Sequence, residues 1–186
     1  KMDRVGADFF GVLEEMHAKL GAHPVPVQLP LGQEETFTGV IDLIDMQGIV
    51  WHDEDRGMSF ETVPIPETMQ ETAEHYRGAL IEAVAETDEE LFNIYLSTGS
   101  LSAQEIRRGL RLGTLNTTIV PVLCGAGLRN KGIQPLLDAV IEYLPAPPDL
   151  PPVTGVNPKT GEEVTRTSDP NAPFAALAFK ISLDQG

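Results

Sequence analysis

Pro121-Val-Leu-Cys-Gly-Ala-Gly-Leu-Arg-Asn-Lys-Gly132 and the apolar stretch after it decide the fold of this chain. Thr118 to Cys124 is an apolar run of strand length. Two glycines then free the backbone, and Gly132 with Pro135 suits the start of a helix. Six apolar residues at helical spacing predict the buried face of that helix: Ile133, Leu136, Leu137, Val140, Ile141 and Leu144. A strand, a glycine-rich loop and a helix in this order are typical of the ligand-binding edge of an α/β sheet, and also of plain βα connections without a ligand.

A second short pattern opens the chain. Lys1-Met2-Asp3 fits the end of the guanine-recognition motif Asn-Lys-x-Asp of GTPases, although the pattern also occurs by chance in surface loops. A carboxylate offers two acceptors, which match the adjacent donors on N1 and the exocyclic amine of guanine. Adenine lacks that donor pair and would leave the carboxylate partly unpaired. The hydrocarbon stem of Lys1 can lie along the base.

Several stretches resemble bacterial-type elongation factor G, in order, from one end of the chain to the other. They are Lys1–Phe10, Leu20–Leu31, Gly39–Ile44, Arg56–Met58, Cys124–Lys131, Leu137–Val140, Tyr143–Pro147 and Asp169–Ile181. The resemblance implies a translational GTPase that drives ribosomal translocation, and it implies that this chain is an internal piece of one.

The resemblance implies an α/β fold: the C-terminal part of a P-loop GTPase domain with an inserted α+β subdomain, followed by the first strand of a β-barrel domain. Residues 1–21 and 117–148 would belong to the GTPase domain. Residues 22–116 would form the insert, and 149–186 a linker and the start of the barrel. The proline-rich run Pro145–Pro152 predicts a stiff linker at that boundary.

The resemblance also implies a site for GTP or GDP. Lys1 and Asp3 would form one wall of the guanine slot, and Ala126, Gly127 and Leu128 the other. The family loop usually has Ser and Ala where this chain has Ala126 and Gly127, so the serine hydroxyl is lost. A contact from a backbone N–H to the guanine oxygen needs no side chain and could survive that loss.

The chain lacks the Gly-x-x-x-x-Gly-Lys-Ser/Thr loop that holds nucleotide phosphates. No catalytic residue and no metal ligand is therefore predicted here, and Mg²⁺ would be bound by other parts of the longer protein. We expect the longer protein to hydrolyse GTP and this piece alone to be inactive. Two alternatives stay open: an interaction module without a nucleotide function, and a related factor for ribosome recycling or ribosome protection.

Charge and composition bear on which partners and which cellular compartment are expected. A net charge of −15 argues against a direct nucleic-acid site, since phosphates attract Lys and Arg. The single cysteine, Cys124, cannot form an internal disulfide, and no apolar stretch reaches membrane-spanning length. No signal peptide opens the chain, so we expect a cytoplasmic protein. The His52–Asp55 cluster is predicted to be an acidic loop tip in preference to a metal site.

Local patterns predict the remaining elements. A helix is expected over 7–20, with Leu20 in its apolar stripe and Gly21 as its stop, and a second over 67–86. Two more should follow the capping-box patterns Thr87/Glu90 and Ser102/Glu105, and these should end at Gly99 and Gly113. The proline-rich residues 25–31 are expected to form an edge strand or an extended connector, and 40–44, 48–51 and 58–65 to form strands, with a turn over 157–161. The resemblance makes 174–181 the first strand of a barrel; in this piece the tail is expected to be poorly ordered or to pack on a neighbour.

Charged surfaces of the insert suggest a partner. The resemblance implies that the insert contacts the ribosomal stalk protein, with Glu71, Glu74 and Glu82 as candidate contacts; a merely solvated helix face has the same pattern. The basic cluster Arg107, Arg108 and Arg111 is weak support for RNA binding, and pairing with nearby acidic residues explains it equally well.

Overall fold

The computed structural model describes residues 1–176 and 179–182. The chain divides into two compact units, Lys1–Leu144 and Pro145–Gly186. Within the described ranges, every helix is too short or too polar to cross a membrane.

Among the described residues, five α-helices and six strands build the first unit, and two strands lie in the second. The helices are α1 (Phe9–Leu20), α2 (Glu67–Ala85), α3 (Glu89–Thr98), α4 (Ala103–Leu115) and α5 (Ile133–Tyr143). The strands are β1 (Pro24–Pro26), β2 (Gln28–Leu31), β3 (Gly39–Asp42), β4 (Gln47–Trp51), β5 (Phe60–Val63), β6 (Val120–Val122), β7 (Val153–Val156) and β8 (Glu163–Arg166).

Two sheets of the first unit are joined by one extended run. Strand β1 pairs in parallel with β6, while β2, β3, β4 and β5 form an antiparallel sheet in that order. Val27 links them, because its N–H donates to the Val122 carbonyl at 3.0 Å and its carbonyl accepts from the Leu43 N–H at 3.0 Å. The prolines of this run sit in a two-stranded sheet and in the edge strand β2, where a missing N–H is tolerated.

The core of the first unit lies where β2 and β3 meet helices α2, α3 and α4. Its most deeply buried side chains are Leu29, Val40, Ile41, Leu43, Leu80, Val84, Leu91, Ile106 and Leu110. Each buried aliphatic side chain stabilises the fold by about 1.5–3 kcal/mol through removal from water. Strands β2 and β3, the residue directly after β3, and helices α2, α3 and α4 supply these residues.

Most predicted helix ends are confirmed. Gly21 and Gly99 close α1 and α3 in the left-handed conformation, with φ of 61° and 72°. Ser102 and Glu105 form the predicted capping box of α4. Leu20 is an exception in burial, since it is exposed in the last turn of α1.

Two predicted signals for the helices of the insert are wrong. Asp88, not Thr87, caps α3: its carboxylate accepts from the N–H groups of Glu90 at 3.1 Å and Leu91 at 3.2 Å. The Thr87 hydroxyl instead donates to the Val84 carbonyl at the end of α2.

Gly113 does not end α4, which continues to Leu115. A Cβ at Gly113 would lie 2.5 Å from Cγ1 of Ile119, so glycine is needed there for close packing and not for termination.

The predicted buried face of α5 is also wrong. Leu136, Leu137, Val140, Ile141 and Leu144 are all exposed, whereas Ala139 and Tyr143 are buried. Helical periodicity identifies an apolar stripe but does not say which neighbour covers it. In the first unit α5 contacts α4, and the apolar stripe remains exposed.

The second unit contains one hairpin among its described residues. Strands β7 and β8 pair in an antiparallel way around the predicted turn, in which the Gly161 N–H donates to the Asn157 carbonyl at 2.8 Å. Gly161 has a φ of +73°, which glycine adopts readily.

The stretch 174–181, which the resemblance makes the first strand of a barrel, forms no strand over its described residues. Residues 174–176 and 179–181 lie outside any strand, and Phe174 and Ile181 are exposed. A strand requires a hydrogen-bonded neighbour, which sequence propensity alone cannot provide. Leu177 and Ala178 lie outside the described residues.

Candidate functional site

The start of the chain meets the loop after β6. The Met2 N–H donates to the Gly125 carbonyl at 3.0 Å, and Met2 is buried. Oδ2 of Asp3 lies 3.6 Å from Nε of Arg129. The structure therefore places Lys1 and Asp3 beside the loop that contains Ala126, Gly127 and Leu128.

Asp3 is sheltered but reachable. Its side chain is only 12% exposed, while Arg129 on the neighbouring loop is half exposed. Lys1 is exposed, so its long side chain can lie over a ligand held between the two segments. A carboxylate that keeps part of its surface exposed can accept from a pair of N–H donors on a flat ring.

We call residues 126–131 the base loop. The Ala126 N–H donates to the Lys131 carbonyl at 2.9 Å, and the Lys131 N–H donates back to Ala126 at 3.3 Å. Between them Gly127–Arg129 form one 3₁₀ turn, and Asn130 takes the left-handed conformation with a φ of 57°. The first N–H groups of such a turn, those of Gly127 and Leu128, have no acceptor within it.

The side chains of the base loop point in different directions. Ala126 is 1% exposed, whereas Leu128 is 92% exposed. The methyl group of Ala126 is thus packed inside, and the base loop is closed by its backbone bridge. No side chain at residue 126 is required for that closure.

Lys131 anchors the base loop from below. Gln28 and Lys131 are the two buried polar residues among those that the structure describes, and Lys131 is 2% exposed. Its Nζ lies 2.9 Å from Oδ1 of Asp53 and donates to the Phe37 carbonyl at 3.3 Å. The ammonium of Lys131 lowers the pKa of the Asp53 carboxyl, mainly through the hydrogen bond between the two side chains.

We call residues 52–58, between β4 and β5, the support loop. Nδ2 of Asn130 donates to the Arg56 carbonyl at 3.0 Å, and Nε2 of Gln134 donates to the Gly57 carbonyl at 3.2 Å. Oε1 of Gln134 accepts from Nε1 of Trp51 at 3.1 Å. The support loop therefore touches the base loop and the first turn of α5 at several points.

Asp55 stiffens the support loop from within. Its carboxylate accepts from the N–H groups of Gly57 at 3.0 Å, Met58 at 3.2 Å and Ser59 at 2.8 Å. A hydrogen bond from the Ser59 hydroxyl is the main cause that lowers the pKa of Asp55. The cluster His52–Asp55 thus serves the loop itself and its anchor, and among the described residues no group of three His, Cys, Asp or Glu is placed to hold a metal.

The base loop could be predicted from the sequence, whereas the contacts that support it could not. Lys131, Asn130 and Asp53 were visible only as parts of matched stretches or as an acidic cluster. The lysine of the matched loop was the one signal for this support. A lysine that is buried almost always has a charged or polar partner, so its burial would point to one.

Comparison with known proteins identifies the family of the chain. The model of the elongation factor Tu GTP binding domain matches residues 1–146. The chain belongs to this family. It is 54% identical to elongation factor G of Amoebophilus asiaticus (strain 5a2) over 185 residues, which are 99% of the chain and 26% of that relative. The chain thus spans about a quarter of the length of this curated relative, and the predicted resemblance is confirmed.

A solved structure agrees with the fold. The crystal structure of ttk003000868 from Thermus thermophilus superposes with a TM-score of 0.67 at 25% identity, covering 86% of this chain and 25% of that one. The predicted α/β class of this elongation factor Tu-type GTP binding domain is confirmed by this match together with the family match.

The charged surface of this GTP binding domain has two parts. Glu71, Glu74 and Glu82 on α2 are all exposed. The arginines of α4 are paired: Arg107 with Asp45 and Glu142, and Arg108 with Asp88 and Glu90. Arg111 donates to the backbone carbonyl of Glu142 at 2.9 Å. The basic cluster is engaged within the protein, as expected of arginines on an acidic surface.

Proposed function

We propose that this chain is the base-recognition part of a translational GTPase of the elongation factor G kind, which couples GTP hydrolysis to movement of tRNA and mRNA on the ribosome. The observation that carries the proposal is the 54% identity to elongation factor G along 99% of the chain. The meeting of Asp3 with the base loop supports it independently, because it puts a sheltered carboxylate beside a turn with spare N–H groups.

The proposed slot binds guanine from two sides. Asp3 accepts hydrogen bonds from N1–H and the exocyclic amine, while the stem of Lys1 covers one face of the ring. The backbone of Ala126, Gly127 and Leu128 donates to the guanine oxygen. The exposed Leu128 side chain stays outside, so the recognition depends on backbone and not on the identity of the loop side chains.

Hydrolysis would require parts that these residues lack. A phosphate loop, the Mg²⁺ ligands and a residue that positions the attacking water are needed for phosphoryl transfer. Bound Mg²⁺ would neutralise the phosphate charge, and the residues that bind it would lie elsewhere in the longer protein. The 186-residue chain alone would bind the base half of GTP or GDP without cleaving it.

The proposed domain layout follows the resemblance with one adjustment. Residues 1–21 and 117–148 form GTPase-domain segments, 22–116 the insert, and 149–186 a linker and the start of a barrel domain. The parallel pairing of β1 with β6 supports moving the start of the insert to about residue 28. The exposed apolar stripe on α5 fits a surface that further GTPase segments would cover.

The proposed partner is the ribosome, in the cytoplasm. Glu71, Glu74 and Glu82 offer an exposed acidic face to a basic stalk protein. The arginines of α4 pair with other carboxylates and so leave the charge of this face in place. The same acidic face favours the second candidate function, an interaction module that binds such a protein without nucleotide.

Titration of fluorescent GDP and ADP into the 186-residue chain, and into the full product of its open reading frame, tests the proposal. We expect saturable binding of GDP and much weaker binding of ADP. Equal binding of the two nucleotides would refute the guanine slot. Binding of a basic stalk protein by both forms, with no nucleotide bound by either, would favour the interaction module.

A further inference from the structure

The buried ammonium of Lys131 links the base loop to a distant part of the sequence. Lys131 is 2% exposed, so its charge has lost most of its water. Asp53 at 2.9 Å is the carboxylate beside it, and the Phe37 carbonyl at 3.3 Å is its other partner. The Asp53 side chain is itself 67% exposed, so the pair lies at the surface end of an otherwise enclosed lysine. Without that carboxylate the ammonium loses its charged partner, and we expect it to move towards solvent.

A movement of Lys131 would be transmitted to the base loop. The backbone of Lys131 exchanges both hydrogen bonds of a bridge with Ala126, which directly precedes the 3₁₀ turn. The N–H groups of Gly127 and Leu128 follow directly. A shift of the Lys131 backbone would therefore change the direction of the N–H groups of Gly127 and Leu128.

Gly57 provides a second, steric constraint on the same loop. A Cβ at Gly57 would clash with the Arg129 carbonyl oxygen, so the two backbones are in direct contact. The φ of Gly57 is +75°, and its N–H is held by Asp55. The support loop thus contacts the 3₁₀ turn at Arg129, while its Asp53 pairs with Lys131.

We propose that Asp53 and Gly57 of the support loop are positioning residues for guanine recognition, acting through the Asp53–Lys131 ion pair and the contact of Gly57 with Arg129. This inference rests on the proposed function. It adds that the affinity for the base is set in part by a loop of the inserted sheet which does not itself touch the nucleotide.

The test uses the full product of the open reading frame with Asp53→Ala, and Glu54→Ala as its matched control. Glu54 is the adjacent exposed carboxylate, so both variants lose one negative charge from the same loop. GDP and 6-thio-GDP are the two ligands, because sulfur accepts a hydrogen bond more weakly than the guanine oxygen. Because the Asp53 side chain is 67% exposed, its pair with Lys131 contributes about 1 kcal/mol at most, so Asp53→Ala should weaken GDP binding by up to about fivefold and 6-thio-GDP binding less. The preference for oxygen over sulfur should therefore fall.

Glu54→Ala should leave both affinities and their ratio unchanged. If Asp53→Ala binds both ligands as the wild type does, or loses both by the same factor, Asp53 does not position the donors and the proposal is overturned. Asp53→Asn, which keeps the shape and removes the charge, should reproduce the loss if Asp53→Ala proves unstable. A wild-type protein that binds neither ligand would overturn the proposed function, whereas binding by the wild type with no effect of Asp53 overturns this inference alone.

Discussion

Asp3→Asn is the most direct test of the proposed slot. The substitution keeps the size of the side chain but replaces one acceptor by an N–H₂ donor. Guanine presents two donors to this position, so one hydrogen bond would be lost and a donor would face a donor. Xanthine carries an oxygen where guanine has its amine, and the new amide can donate to that oxygen.

The magnitude follows from the partners of the carboxylate. Hydrogen bonds to a charged group contribute about 1.5–3 kcal/mol each, so weakening both costs about 3 kcal/mol or more. This corresponds to a loss of roughly a hundredfold in GDP affinity. The ion pair with Arg129 at 3.6 Å is also lost, but Arg129 is half exposed, and such pairs contribute at most about 1 kcal/mol. The loss of base recognition is therefore the larger effect.

The assay is a titration of GDP and XDP into the full protein, with Asp138→Asn as the control. Asp138 is an exposed carboxylate on α5 and undergoes the same chemical change away from the slot. We expect Asp3→Asn to lose GDP and to gain XDP, while the control matches the wild type. Unchanged GDP affinity in Asp3→Asn, without any gain for XDP, would refute the placement of Asp3 against the base.

Three further predictions concern the scaffold. Gly113→Ala should lower the free energy of unfolding by about 1–3 kcal/mol in urea denaturation, because its Cβ would meet Ile119, and a stabilisation through better helix propensity would contradict this packing. Ser102→Ala should destabilise by about 1 kcal/mol through loss of the cap on α4, and an unchanged urea midpoint would show that the cap with Glu105 contributes nothing. Burial raises the pKa of the Cys124 thiol to about 12, so at a pH of about 8 iodoacetamide should react far more slowly with the folded than with the urea-unfolded chain; equal rates would show that the thiol is accessible.

Local sequence signals predicted where helices lie better than they predicted which elements pack against them. Helices α1 and α2 follow from apolar spacing, and Gly21 and Gly99 end helices because few other residues adopt a positive φ. The Thr87 cap and the end of α4 at Gly113 were mispredicted because Asp88 competes for the same orphan N–H groups and because tight packing also selects glycine. The predicted burial of the α5 stripe was wrong for a similar reason, since burial depends on which element packs against the helix.

The site divides in the same way. The role proposed for Asp3 follows from its residue type, because a carboxylate can accept hydrogen bonds from two adjacent N–H donors. The partnership of Asp53 with Lys131 could not be predicted, since it depends on how the β4–β5 hairpin folds over a loop far along the chain. Propensity and spacing describe single elements, whereas an ion pair between two loops is a property of the tertiary fold.

The support of the base loop from outside explains how its departure from the family pattern can be tolerated. A serine hydroxyl at residue 126 would have to stabilise the loop locally, but in this chain the Ala126 side chain is buried and makes no polar contact. The backbone bridge to Lys131 closes the loop, and Asp53 and the Phe37 carbonyl hold that lysine in place. Because these contacts involve the backbone of residue 126 and side chains elsewhere, the geometry of the N–H donors does not depend on a hydroxyl. The loss at Ala126 and the freedom introduced at Gly127 then act on a loop that is already fixed at both of its ends.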